Sequence, residues 1–110
     1  MTSNENNSLN FEEMRNVTPL KRGEAVGQDE SEEGFYIKLD EERTYEVAPV
    51  AFYVWNMCDG KRTVSDIANE IVSEVKAESV GEQIDEDKVI NSIMVILGEL
   101  LKASLIALNA

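Results

Sequence analysis

The sequence contains no histidine. It therefore lacks the usual general base near neutral pH and the commonest metal ligand. Cys58 is its only cysteine, so no intrachain disulfide can form and the composition suits a reducing compartment. Basic residues are few: 10 Lys and Arg against 22 Asp and Glu give a formal net charge of −12 at pH 7. Such a surface repels nucleic-acid phosphates and anionic lipid head groups and favours basic partners, and it also keeps a small domain in solution. No apolar run approaches the ~20 residues of a membrane-spanning helix. The stretch Met1 to Asn7 has neither the basic nor the apolar region of a signal peptide, so the expected address is the cytoplasm.

Chemical signatures are missing as well. There is no Cys/His cluster, no Gly-rich phosphate loop and no serine-nucleophile motif. Carboxylates are plentiful, but they sit in charged runs where nothing desolvates them or raises a general acid's pKa. The acidic stretch Asp29 to Glu33 lacks the Asp-x-Asp-x-Asp-Gly spacing of a calcium loop and reads as a solvated loop. These absences count against an enzyme acting alone, and they call for no metal or other cofactor.

What is present is enough for one core. The chain has 110 residues, 43% of them hydrophobic, which fits a single compact domain. Residues 1 to about 17 are polar and without sustained periodicity, and read as a flexible tail on which Phe11 and Met14 can dock as one apolar turn. The domain proper then spans residues 18–110. Pro19 to Gly23 reads as its lead-in and Glu24-Ala25-Val26 as a first short strand. Phe35, Ile37 and Leu39 alternate with Tyr36 and Lys38, and Tyr45 and Val47 repeat that period of two, so the pair forms a hairpin closed through Asp40 to Arg43.

Helical spacing follows. Pro49 suits a first helical position, and Val50, Ala51, Val54, Trp55 and Cys58 trace its stripe. Gly60 stands where a left-handed cap belongs. Thr63 caps a second helix with Asp66 three residues on, and Ile67, Ile71 and Val75 form its buried line. Asp85 caps a third, in which Val89 to Leu101 is apolar on more than one face, either as the central core helix or as a partner surface. Leu105 to Leu108 is a final extended segment. Strands followed by three helices make an α+β, winged-helix-like fold: an N-terminal three-stranded antiparallel sheet or hairpin, then a three-helix bundle.

These features in this order resemble PqqD and the related RiPP recognition elements. The resemblance rests on Pro19-x-x-x-Gly23, then Phe35-Tyr36-Ile37-Lys38-Leu39 and Thr44-Tyr45-Glu46-Val47. It rests most on Cys58-Asp59-Gly60-Lys61-Arg62-Thr63-Val64 between two helices, and it runs from Pro19 to Ile106. It implies a three-stranded sheet and three helices, with a leader peptide adding as a further strand beside the last sheet strand and against the third helix. It further implies delivery of that peptide to a modifying enzyme, often of the radical-SAM type, in the making of PQQ or another modified peptide.

Strand addition has its own physics. An edge strand offers N–H and C=O groups that an extended peptide can satisfy. Each such bond contributes only ~0.5–1.5 kcal/mol net, whereas micromolar affinity needs about 8 kcal/mol, so side-chain pockets must help. Mapped onto this chain, the peptide-binding strand is Thr44, Tyr45, Glu46 and Val47. The helix face is Lys88, Asn91, Ser92, Val95, Glu99 and Lys102, turned away from the main Ile/Leu stripe. Asp59 and Gly60 terminate the first helix and are the candidate contact with the enzyme. Trp55 and Cys58 read as core, while Tyr45 has two roles open to it, inward packing or lining the groove. An open strand edge can equally pair with a second copy in a homodimer. A winged-helix DNA-binding regulator is the competing reading, against which stand Asp85, Glu86 and Asp87 at the head of the third helix and a lone Lys76 on the second. A non-catalytic structural subunit of a modification complex is another.

Overall fold

The structure, a computed structural model, describes residues 10–28, 30–31 and 33–109. Residues 1–9 of the expected tail, and Asp29 and Glu32 of the acidic loop, lie outside the described residues. The chain begins with a single helical turn, α1 (Phe11–Met14), capped by the Asn10 side chain. Phe11 and Met14 pack against the core, and the Arg15 and Val17 carbonyls accept from the amides of Ser65 and Val64.

Four strands follow: β1 (Thr18–Lys21), β2 (Glu24–Gln28), β3 (Phe35–Lys38) and β4 (Thr44–Val47). The last three form an antiparallel sheet in the order β2-β3-β4. Gly23 lets the chain turn from β1 into β2: its φ is +89°, and a Cβ there would stand 2.8 Å from the Lys38 carbonyl oxygen. The β3–β4 turn is pinned by one side chain. Asp40 accepts from the Glu42 and Arg43 amides at 3.0 and 2.9 Å, and its other oxygen takes the Arg43 guanidinium at 2.7 Å. The Arg43 side-chain bond, followed by the Glu42 amide, holds the Asp40 carboxyl below its usual range.

The three expected helices are α2 (Pro49–Met57), α3 (Val64–Glu78) and α4 (Glu86–Lys102). Pro49 opens α2 as expected, and Asp85 caps α4 by accepting from the Lys88 amide. Thr63 and Asp66 form a complete capping box, with both bonds at 3.0 Å. Replacing Thr63 by alanine is expected to lower stability by about 1 kcal/mol, seen in urea as a lower midpoint with an unchanged slope. Gly60 is left-handed at φ +78° but does not cap α2, which ends at Met57 with Cys58 as its C-cap. The Gly60 amide donates to the Pro19 carbonyl at 2.9 Å, so the chain just past α2 is stitched to β1.

The core lies between the sheet and the helices, with α4 packed on both α2 and α3. Ile37 from the sheet, Val54 and Trp55 from α2, Ile67 from α3 and Met94 and Leu97 from α4 are all at most 2% exposed. Beyond the expected three-stranded sheet there is a second one. The final extended segment is β5 (Ile106–Asn109), and it pairs antiparallel with β1, so Pro19 to Lys21 is a strand and not merely a lead-in. Trp55 staples this pair to α2: its Nε1 donates to the Leu105 carbonyl at 2.9 Å and to the Arg22 carbonyl at 3.2 Å.

Candidate functional site: the groove between β4 and α4

Strand β4 is the outer strand of its sheet among the described residues. Its backbone orientation follows from the turn. Leu39 donates to the Arg43 carbonyl at 2.8 Å, and Ile37 and Phe35 lie opposite Tyr45 and Val47. Hydrogen-bonded pairs alternate along an antiparallel ladder, so Tyr45 and Val47 turn their backbone groups to β3. Thr44 and Glu46 turn theirs to the outer side.

On the face toward α4, Tyr45 and Val47 form one wall of a groove of about 280 Å³. Val95, Ile96, Glu99 and Leu100 of α4 form the other. Ala48 and Ala51, from the start of α2, and Ala103 and Leu105, just past α4, complete the lining. The Pro49 start explains this placement: α2 begins directly after β4, so its first turn borders the groove. Tyr45 is half-buried against the core and also lines the groove. Glu46 also borders the groove, but its carboxylate lies over Gly34, where a Cβ would stand only 2.6 Å away.

Of the residues singled out in the sequence, Tyr45, Glu46, Val47, Val95 and Glu99 come together in this lining. Thr44, Lys88, Asn91, Ser92 and Lys102 stand outside it. All five are exposed, Thr44 at the hairpin end of β4 and the others on the same helical face as Val95 and Glu99. Val95 is 45% exposed, in contrast to its neighbours Ile93, Met94 and Leu97 in the core. Ala48, Ala51, Ile96, Leu100, Ala103 and Leu105 were not legible as site residues. Their one sequence signal is the trio of alanines among larger apolar side chains.

Asp59 and Gly60 do not line the groove. Asp59 accepts from the Arg62 and Lys61 amides at 2.9 Å each and pairs with the Arg62 guanidinium at 3.2 Å. The two amide bonds, first that of Arg62, hold its carboxyl below the ordinary value. Cys58 is fully buried and donates to the Val54 carbonyl. Burial, reinforced by the neighbouring Asp59 charge, pushes its thiol up to about 12. The native chain at pH 8 is therefore expected to resist iodoacetamide, with labelling appearing only as denaturant unfolds it. The sign for stability follows from the raised value: the contribution of this protonated thiol is complete below its ordinary value of 9.0 and is lost as pH climbs toward about 12.

Among the described residues no group of His, Cys, Asp and Glu is arranged to hold a metal ion, and no helix is long and apolar enough to cross a membrane. What the groove offers is an outward-facing strand edge beside an apolar slot. The model of one protein family, described as Coenzyme PQQ synthesis protein D (PqqD), matches residues 36–106, which include β4, the first turn of α2 and all of α4. No curated protein and no solved structure matches the chain closely enough to count as a relative.

Proposed function

The chain belongs to the PqqD family, non-catalytic accessory proteins of PQQ and related peptide-derived product biosynthesis, and on that premise we propose that it is a peptide-binding adaptor. It takes the leader of a precursor peptide as an added strand on β4 and presents it, in the cytoplasm, to a modifying enzyme of the radical-SAM type. The observation that carries this reading is the outer strand β4 standing opposite α4 across an apolar groove. Backbone bonds from Thr44 and Glu46 would align the guest, and the slot between Tyr45, Val47 and Val95 would hold one of its side chains. Lys88, Asn91, Ser92 and Lys102 would border the guest along α4, with residues 18–110 as the binding domain. The Asp59–Gly60 corner, outside the groove with Asp59 exposed, is the candidate face for the enzyme.

Titrating the leader of a precursor peptide into isotope-labelled full-length chain tests this reading. Amide shifts should concentrate at Thr44 to Val47, Ala51, Val95 and Glu99. Binding to the enzyme without any such shifts would instead make the chain a structural subunit.

A further inference from the structure

We propose that the guest of this groove carries a bulky apolar residue and, two residues away, a lysine or arginine that pairs with Glu99; this rests on the strand-addition reading above. The two repeats that meet in the groove are nearly commensurate. An extended guest sends every second side chain toward α4, at a spacing of about 6.6 Å. Residues four apart on α4 share a face and are about 6 Å apart along its axis. A guest running along α4 would therefore bring each side chain on that face to one turn of the helix. One turn presents Val95, in a groove whose lining also includes the small or apolar Ala48, Ala51, Ile96 and Leu100. The next presents Glu99, exposed and lining the same groove.

Glu99 makes no ion pair among the described residues, although Lys102 follows it on the same helix. The other carboxylate bordering the groove, that of Glu46, lies over Gly34 instead of facing α4. A guest acid at this turn would meet Glu99 and a chain of net charge −12. A guest cation meets complementary charge both locally and at long range.

The test selects displayed random eight-residue peptides on the full chain, in parallel with the E99K and Ala51→Phe variants. The unchanged chain should enrich a Leu, Ile, Met or Phe with a Lys or Arg two positions away. E99K should keep the apolar preference and exchange the cation for Asp or Glu. The best synthetic peptide should bind Glu99→Gln about three- to fivefold more weakly, the range of a solvent-exposed ion pair. An apolar anchor enriched without a cation, or a cation preference that survives in E99K, overturns the inference and leaves strand addition standing. No enrichment at all, or enrichment untouched by Ala51→Phe, overturns both.

Discussion

Replacing Ala51 by phenylalanine should weaken guest-peptide binding by about thirtyfold or more while the domain stays folded. Ala51 is half-buried on the first turn of α2 and lines the same groove as Tyr45, Val47 and Val95. A benzyl group there has open groove to enter, so it occupies the slot without displacing core side chains. A guest anchor denied that slot loses the burial of one large side chain, roughly 2 kcal/mol, and 1.4 kcal/mol is tenfold in affinity. Ala51→Ser, which leaves the space empty, should bind nearly as the unchanged chain does. Calorimetric titration of both variants, with thermal melts beside them, separates a filled slot from a damaged fold. Undiminished binding to Ala51→Phe would mean that the guest does not use this groove.

The second large effect is on stability. Trp55→Ala should cost about 3–5 kcal/mol through loss of a buried indole, a large share of the ~5–15 kcal/mol that holds a domain of this size together. Trp55 is 2% exposed, stacks near Phe52 and lies under the Lys21 ammonium. Its Nε1 also supplies the donor for the Leu105 and Arg22 carbonyls. Trp55→Phe should therefore fall between, by about 1–2 kcal/mol, since a ring remains while a buried bond is lost. Guanidinium denaturation of the two variants reads both numbers. The damage should reach function, because Leu105 lines the groove and Trp55 holds its carbonyl in place.

Much of this architecture was legible in the sequence wherever a local pattern decided it. Thr63 with Asp66, Asp85 before Glu86, and Pro49 after Ala48 mark helix starts through bonds made within one turn, and all three stand where expected. The hairpin was equally plain, because Phe35, Ile37, Tyr45 and Val47 alternate and Asp40 closes the turn on its own neighbours. The β1–β5 pair was not. Its strands are four residues long, the first contains Pro19, and their partners lie at opposite ends of the chain. No local period announces such a pairing; it is imposed by Trp55 and by the Gly60 amide reaching back to Pro19.

The same division runs through the groove. On α4, Ile93, Met94, Leu97 and Leu100 are buried and Lys88, Asn91, Ser92, Val95, Glu99 and Lys102 are exposed, but of those six only Val95 and Glu99 line the groove. Ala48, Ala51 and Ala103 were not legible, because a small side chain matters here for the space it leaves. That space exists only once Tyr45, Val95 and Leu105 have been placed around it.

Amide hydrogen exchange along β4, with and without bound leader peptide, tests strand addition most directly. The Tyr45 and Val47 amides face β3 and should change little. The outward Thr44 amide should slow by tenfold or more as the guest bonds to it. A peptide that binds tightly while Thr44 exchanges as fast as before, or that slows all β4 amides alike, would contradict an added strand on this edge.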